Sequence, residues 1–265
     1  ESVFHKLPDY IAPGTLMIFN NTKVIQARLH FRKETGALIE IFCLEPIQPN
    51  DYVLNFQQTR HSAWLCMVGN LKKWKEGALT KEMEVKGHTI RLTATRGENR
   101  GTSHWIDFTW DNEQITFADI LEVFGELPIP PYLNRETQES DKKTYQTVYS
   151  KIKGSVAAPT AGLHFTDAVL QNIKSKGITV NTVCLHVGAG TFLPVKSSRV
   201  AEHTMHREPF VVTLSFLKGL LERTGKVVAV GTTSVRTLES LYYVGVGCIE
   251  NGQPCDVDQW APYSR

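Results

Sequence analysis

Apolar and polar residues alternate in several short runs across the first half of the chain, which is the pattern of half-buried β-strands. Residues 25–31 alternate in this way at every position, and turn signals such as Thr35-Gly36 and Lys86-Gly87 separate several of the runs. Five further runs lie at Leu38–Leu44, Ala63–Val68, Glu82–Val85, Thr89–Thr95 and Ser103–Trp110. Six short strands within roughly 90 residues predict a small antiparallel β-barrel.

The spacing of apolar residues then changes to that of a helix. Thr116 is a good N-cap with Asp119 three residues later, and apolar residues recur at helical spacing until Gly125. The proline-rich stretch Leu127–Tyr132 cannot be the interior of a helix or a central strand. We expect it to form a linker or the wall of a cleft.

Helices and strands alternate after Thr166. The predicted helices are Asp167–Lys176, Leu214–Arg223 and Val235–Tyr243, and the predicted strands are Ile178–Leu185 and Val227–Val230. Such alternation indicates an α/β layer with parallel strands, which the opening strand Thr15–Phe19 is expected to join. The sequence therefore predicts a mixed α/β (α+β) fold. Its main α/β domain comprises residues 1–23 and 115–265, and residues 24–114 form an inserted six-stranded antiparallel β-barrel domain.

Composition favours an ordinary globular protein. The 265 residues are 42% hydrophobic and 21% charged, which argues against disordered and fibrous classes. The longest apolar runs are far shorter than the roughly 18 residues of a membrane span, and no basic-then-apolar signal segment opens the chain. The five cysteines lack the spacing of zinc or redox sites, so we expect free thiols in a reducing cytoplasm.

The net charge of +2 neither requires nor excludes a nucleic-acid partner, because a polyanion is held by a local patch. Basic residues gather in three groups, for each of which solvated surface charge is the ordinary interpretation. These groups are Lys72, Lys73 and Lys75; Arg91, Arg96 and Arg100; and Lys142, Lys143, Lys151 and Lys153.

Two segments have the composition of a ligand site. Ala157–Phe165 and Leu185–Phe192 each place a histidine, His164 or His186, beside small residues that let a backbone approach a ligand closely. The first precedes a helix N-terminus, where anionic or polar groups are favoured. The second follows an apolar strand, at the carboxyl end where α/β proteins bind ligands. A tight loop with a surface histidine is the alternative for the first segment.

Gly231–Arg236 is a third such segment, since it follows a buried-looking strand and opens a helix. It offers three hydroxyls, on Thr232, Thr233 and Ser234. Arg236 would lie in the first helical turn, where the helix dipole disfavours a cation. An anionic partner is therefore expected, either a ligand or Glu239 one turn later.

His203 and His206 are separated by two residues, a spacing that can hold a metal. Neither the glutamate of an H-E-x-x-H motif nor suitably placed cysteines accompany them. A polar lining or a structural pair is the preferred interpretation, and no metal site is predicted.

Several motifs occur here in the order of one family. The chain resembles the S-adenosylmethionine:tRNA ribosyltransferase-isomerases of queuosine biosynthesis nearly from end to end. Members of that family have a further N-terminal segment and continue beyond the position of Arg265, so the resemblance implies that terminal segments are missing from this sequence. The matching stretches are 20–29, 128–132, Tyr145–Ser150, Ala157–Phe165, Leu185–Phe192, His203–His206 and Gly231–Ser240.

The resemblance implies a transferase that uses S-adenosylmethionine as co-substrate and needs no metal. The ribosyl part of S-adenosylmethionine would be transferred to 7-aminomethyl-7-deazaguanine at the wobble position of tRNA and isomerised, giving epoxyqueuosine and releasing adenine and methionine. The implied partner is the tRNA anticodon loop. A cytoplasmic monomer without membrane contact is expected.

The residues can be matched to this chemistry as hypotheses. His164 or His186 would handle protons at the ribose or adenine, and His203 and His206 are further candidates for contact with adenine or substrate. Thr232–Ser234 and Arg236 would hold the methionine carboxylate or a tRNA phosphate. The residues expected to pack against the cofactor are Gly162, Gly188, Gly190 and Thr191. Those expected to bind RNA, by stacking or phosphate contact, are Tyr132, Tyr145, Tyr149, Lys151 and Lys153, with core packing as the alternative for the tyrosines.

Two other functions fit the same residues. An ordinary S-adenosylmethionine-dependent RNA methyltransferase would produce S-adenosylhomocysteine instead of free adenine and methionine. A non-catalytic tRNA-binding homologue would bind tRNA without turnover.

Overall fold

The computed structural model describes residues 2–130, 133–192, 197–223 and 225–263. The chain divides into two compact units. The first consists of Glu1–Lys23, Thr144–Ile152 and Ala158–Arg265, and the second of Val24–Lys143 and Lys153–Ala157. The insertion proposed from the sequence, residues 24–114, falls within the second unit. That unit also contains the chain from residue 115 to 143.

Strands and helices alternate along much of the chain. The strands are β1 (Leu16–Asn20), β2 (Thr22–Val24), β3 (Arg28–Arg32), β4 (Leu38–Gln48), β5 (His61–Gly69), β6 (Leu79–Val85), β7 (His88–Arg100), β8 (Ser103–Trp110), β9 (Gly125–Glu126), β10 (Ile152–Ser155), β11 (Thr179–Leu185), β12 (Phe210–Val211) and β13 (Val227–Ala229). The α-helices are α1 (Tyr52–Phe56), α2 (Phe117–Phe124), α3 (Asp141–Thr144), α4 (Asp167–Ser175), α5 (Leu214–Leu221) and α6 (Gly231–Asn251). Short 3-10 helices include Phe4–Tyr10, Thr160–His164 and Ala189–Phe192.

The first unit is built on a four-stranded sheet in the order β12-β11-β1-β13. The opening strand β1 is parallel to both β11 and β13, as expected from the alternation of helices and strands, and β12 is antiparallel to β11. Because side chains alternate between the faces of a strand, Met17 and Phe19 pack with the α4 side chains Val169 and Ile173. Leu16 and Ile18 pack on the other face. Helices therefore cover both faces of this sheet.

The second unit is built on an antiparallel sheet in the order β6-β7-β8-β5-β4-β3-β9. All six strands predicted in this region are present, and the seventh is the two-residue β9. The sheet is curled, since β3 also contacts β6. Its core contains an aromatic cluster in which Phe117 of α2 lies 5.7 Å from Trp64 and 5.5 Å from Phe108, measured between ring centroids. The predicted fold class, mixed α/β with an antiparallel β region, is confirmed.

Local signals for helix starts are also confirmed. The Thr116 hydroxyl accepts a hydrogen bond from the Asp119 amide at 3.3 Å, and the Asp119 carboxylate accepts one from the Thr116 amide at 3.1 Å, which is a capping box. Thr166 caps α4 by accepting from the Val169 amide at 3.3 Å. In the described part of the chain, no helix is both long enough and apolar enough to cross a membrane. All five cysteines are free thiols.

Asp141 is a buried carboxylate in the second unit. It accepts hydrogen bonds from both terminal nitrogens of Arg135, at 2.7 and 2.8 Å, and from the Gln138 amide at 2.8 Å. The Arg135 guanidinium, followed by the Gln138 amide, lowers the pKa of Asp141 to about 2. Since the ordinary value is about 4, the ionised carboxylate stabilises the fold above about pH 4. That stabilisation is lost as the pH falls towards about 2.

We expect Asp141→Asn to lower the free energy of unfolding by about 1–3 kcal/mol at pH 7, because the asparagine cannot form the charged pair. The difference from the parent protein should shrink as the pH approaches about 2. Urea unfolding followed by tryptophan fluorescence reports mainly on this unit, which contains four of the five tryptophans, Trp64, Trp74, Trp105 and Trp110. Glu139→Gln, which removes an exposed carboxylate paired with Lys142, is the control. An equal difference at every pH would contradict this account of Asp141.

Candidate functional site

The carboxyl ends of three parallel strands lie at one edge of the first unit's sheet. The strands β1, β11 and β13 end there at Asn20, Leu185 and Ala229. The predicted segment with His186 leaves this edge after β11, and α6 begins close to it after β13. Ligands of α/β proteins bind at such edges.

A buried asparagine fixes the end of β11. The Asn20 side chain is fully buried; its Nδ2 donates to the Leu185 carbonyl at 3.0 Å, and its Oδ1 accepts from the Leu185 amide at 3.0 Å. The Thr22 hydroxyl donates to the same carbonyl at 3.1 Å. Asn20 therefore sets the point at which the chain turns from the strand into His186.

The three segments predicted to form a site lie together. A Cβ atom added to Gly231 would be 3.2 Å from the Cβ of Ala161, so the start of α6 touches the segment that contains His164. Glu208 accepts hydrogen bonds from the Gly188 amide at 3.0 Å and from Arg236 Nη1 at 2.7 Å, which ties the His186 loop to α6. The segments therefore share one region at the start of α6.

Glu208 is the buried centre of a hydrogen-bond network. Its side chain is 3% exposed. In addition to Gly188 and Arg236, it accepts from His206 Nε2 at 2.8 Å, while Arg236 Nη2 donates to the His206 carbonyl at 2.6 Å. Gly190 packs directly on the His206 ring, since a Cβ added there would lie 2.9 Å from the Cβ of His206 and would overlap the imidazole.

Two expectations about Arg236 are corrected. The helix begins at Gly231 and runs to Asn251, so it is longer than the predicted Val235–Tyr243 and Arg236 lies in its second turn. The anionic partner of Arg236 is Glu208, from a distant part of the sequence, and neither Glu239 nor a ligand is needed for that pairing. The sequence indicated that Arg236 needs an anionic partner, but it did not indicate that this partner is Glu208.

The start of α6 presents polar groups with unfilled hydrogen-bonding capacity. Its N-cap residue, Val230, makes no side-chain capping bond. Ser234 is fully buried, and within the described residues neither its hydroxyl nor that of Thr233 has a hydrogen-bond partner. Thr232 is exposed. Free amides and hydroxyls at a helix N-terminus can hold an anionic group.

The two predicted proton-handling histidines differ in environment. His164 is exposed, and its ring lies 5.3 Å from that of Phe4. His186 is buried, and its Nε2 lies 3.5 Å from Cys184 Sγ. Burial raises the pKa of the Cys184 thiol to about 11. His164 can therefore exchange protons with solvent directly, whereas His186 is enclosed.

Comparison with known proteins decides the family. A family model described as queuosine biosynthesis protein matches residues 1–257. The chain belongs to this family. The membership expected from the sequence motifs is therefore confirmed.

Curated relatives in this family are named S-adenosylmethionine:tRNA ribosyltransferase-isomerase. The relative from Trichlorobacter lovleyi is 40% identical over 242 residues, which is 90% of this chain and 65% of the relative. That from Sulfurihydrogenibium sp. is 38% identical over 250 residues, 90% of this chain and 66% of the relative. The chain thus spans slightly less than two thirds of the length of these proteins.

A solved structure, S-adenosylmethionine tRNA ribosyltransferase from Thermotoga maritima, is also similar. It is 26% identical, and the match covers 91% of this chain and 59% of that one with a TM-score of 0.31.

The residues proposed to bind RNA differ in their burial and in their partners. Tyr145 is buried at 9% exposure, and the Tyr149 ring packs edge-on against Phe19 with centroids 4.7 Å apart, which corresponds to the core-packing alternative. Burial also raises the pKa of Tyr149 above its ordinary value. Lys151 is exposed in the first unit, and Lys153, in the second, pairs with Glu122 at 3.1 Å. Tyr132 lies outside the described residues, and base stacking stays a prediction.

The remaining predicted residues have surroundings of their own. Gly162 is buried against Tyr149, and Thr191 is exposed in the 3-10 helix that follows Gly188. The carbonyl of His203 accepts from Gln259 Nε2 at 2.8 Å. Among the described side chains, histidine, cysteine and carboxylate groups form no cluster of three that could hold a metal ion.

Proposed function

We propose that this chain carries the activity for which its curated relatives are named, that of an S-adenosylmethionine:tRNA ribosyltransferase-isomerase. The ribosyl part of S-adenosylmethionine would pass to 7-aminomethyl-7-deazaguanine at the wobble position of tRNA, giving epoxyqueuosine, adenine and methionine. A tRNA substrate would place it in the cytoplasm, where we propose that it acts as a monomer. The observation that carries this proposal is the meeting of the two histidine-glycine segments with the hydroxyl-rich start of α6.

The start of α6 is the proposed site for the carboxylate of S-adenosylmethionine. The unpartnered hydroxyls of Thr233 and Ser234 and the uncapped amides favour an anionic group of this size. Arg236 already binds Glu208 and the His206 carbonyl. We therefore assign to Arg236 the role of holding the neighbouring segment in place, and to Thr233 and Ser234 the direct contact with the carboxylate.

The reaction requires several proton transfers. The sulfonium acidifies the adjacent ribose C–H, departing adenine needs a proton or hydrogen-bond donors, and the attacking aminomethyl nitrogen must be neutral. Histidines are suited to these steps near neutral pH. His164 and His186 are the proposed groups, with Gly188, Gly190 and Thr191 packed against the cofactor.

The RNA partner we propose is the anticodon loop. Unstacked bases are accessible there, whereas side chains cannot read the deep major groove of an A-form helix. The target base would have to be splayed from its neighbours to enter the site. The exposed Lys151 is a proposed phosphate contact.

Product analysis tests the proposed function. The chain is incubated with S-adenosylmethionine and tRNA that carries the aminomethyl-deazaguanine base, with the Trichlorobacter lovleyi relative as positive control. Adenine and methionine in equal amounts are expected. S-adenosylhomocysteine as the product would favour a methyltransferase. Binding of tRNA without any turnover would favour a non-catalytic homologue.

Substitution of the two histidines tests the proton-transfer assignment. We expect at least one of His164→Ala and His186→Ala to slow adenine release by about 10²–10⁴-fold, the usual contribution of a general acid or base. His88→Ala, at an exposed hairpin position of the second unit, is the matched control. Turnover at the parent rate in both site variants would refute the assignment.

A further inference from the structure

The Glu208 carboxylate accepts hydrogen bonds from three groups. Its carboxylate is 3% exposed, and a buried carboxylate is costly unless it is paired and hydrogen-bonded. Arg236 supplies the opposite charge at 2.7 Å on Oε2. Oε1 accepts from two further groups, the Gly188 amide at 3.0 Å and His206 Nε2 at 2.8 Å.

The bond to His206 fixes which ring nitrogen carries the proton. A carboxylate can only accept, so Nε2 must be the donor, and in the neutral ring Nδ1 is then the acceptor. The His206 side chain is 29% exposed, so part of the ring remains accessible. The main chain of His206 is held as well, because its carbonyl accepts a hydrogen bond from Arg236 Nη2 at 2.6 Å.

Gly190 allows its loop to pack against the His206 ring with no side chain between them. A Cβ at position 190 would overlap the imidazole at Cγ and Nδ1. Only glycine therefore allows the loop after β11 to lie against His206. The hydrogen bond from the Gly188 amide to Glu208 holds the same loop in place. One carboxylate thus orients both the imidazole and the loop that faces it.

We propose that Glu208 is a positioning residue, which holds His206 with Nδ1 presented as a hydrogen-bond acceptor to the bound substrate. This inference rests on the proposed ribosyl transfer and adds to it a third histidine and the group that orients it. His206 contacts the substrate, and Glu208 acts through His206 and through the loop at Gly188. Carboxylates that orient a ligand-binding imidazole act in the same way at metal centres.

The test is a double-mutant cycle on the rate of adenine release. Glu208→Gln keeps the shape of the side chain but leaves the Arg236 charge uncompensated and cannot accept all three bonds. We expect the turnover number to fall by about 10–100-fold, the usual effect of removing such an orienting partner. In a His206→Gln background the same change should have an effect at least several-fold smaller, because the group through which Glu208 acts is already gone.

Two controls separate this role from a structural one. Glu239→Gln removes an exposed carboxylate from α6, the helix that carries Arg236, and should leave the rate unchanged. Circular dichroism and thermal unfolding monitor folding of each variant, and His206→Gln alone, at the more exposed position, should also lower the turnover number by at least tenfold. A parent-like rate in either Glu208→Gln or His206→Gln overturns the proposal, as does an equal loss from Glu208→Gln in both backgrounds. Absence of adenine release from the unsubstituted chain would instead refute the proposed function itself.

Discussion

Replacement of Asn20 by alanine should destabilise the first unit by about 2–4 kcal/mol, the range expected when a buried amide loses its partner and a cavity is left behind. Asn20 is fully buried, and its side chain bonds both the amide and the carbonyl of Leu185. The Thr22 hydroxyl still reaches the carbonyl after the substitution, but the Leu185 amide has lost the asparagine oxygen. The end of β11 should therefore loosen first.

Hydrogen exchange gives the most direct measurement of this effect. The Leu185 amide should lose protection in Asn20→Ala, and urea unfolding should show the lower free energy. Adenine release should fall as well, because Leu185 leads directly into His186. Asn21→Ala is the matched control; it removes a half-buried side chain whose Nδ2 donates to Thr182 Oγ1 at 3.2 Å, and we expect a cost below about 1 kcal/mol. Equal stability of the two variants would show that the Asn20 bonds do not hold the strand end.

The parts of the fold that could be predicted are those set by neighbours in the sequence. The capping box of α2 and the Thr166 cap of α4 join residues three apart, so their signals are visible in the chain itself. The six longer strands of the second unit follow from alternation alone. The two-residue β9 could not be found in this way, because a strand that short has no period.

The predicted α6 was too short, because the contact that accommodates a glycine in its second half is a tertiary contact. Gly245 and Gly247 lower the intrinsic preference for helix in its second half, which made an end near Tyr243 reasonable. In the structure Gly247 is buried beneath Cys255, and the helix continues to Asn251. A side chain at position 247 would overlap the sulfur of Cys255. Packing by a later segment thus explains why a glycine lies at position 247 inside the helix.

The candidate site also has parts that the sequence predicts and parts that depend on tertiary contacts. Its three segments could be identified, because glycine, histidine and hydroxyl residues at a strand end have a recognisable composition. The residues that join the three segments could not be identified from the sequence. Glu208 lies 20 residues from Gly188 and 28 from Arg236 in the sequence, and no local sequence pattern predicts a hydrogen bond over that separation. Asn20, 165 residues from Leu185, was visible only as part of a family motif.

Gly162→Ala should be among the most damaging small substitutions in the first unit. Gly162 is buried, and a Cβ there would overlap the hydroxyl of Tyr149 and lie 2.8 Å from Thr147 Cγ2. The Tyr149 ring cannot easily move away, because it packs on Phe19 with centroids 4.7 Å apart. We expect a loss of about 1–3 kcal/mol in the free energy of unfolding, as for other overpacked interiors. Adenine release should also fall, since the 3-10 helix Thr160–His164 would have to shift.

Tyr149→Phe provides the decisive second substitution, because it removes the oxygen that the new methyl group would meet. In the double variant the nearest ring atom would still lie 2.9 Å away, so recovery should be partial, with a coupling free energy of about 1–2 kcal/mol in favour of the pair. Urea unfolding of the four proteins measures this coupling. Gly219→Ala on α5, where nothing lies within 4 Å of the added Cβ, should be neutral or stabilising by up to about 1 kcal/mol. Additive effects of Gly162→Ala and Tyr149→Phe would mean that the tyrosine hydroxyl does not exclude a side chain at position 162, and that Thr147 Cγ2 accounts for the requirement for glycine there instead.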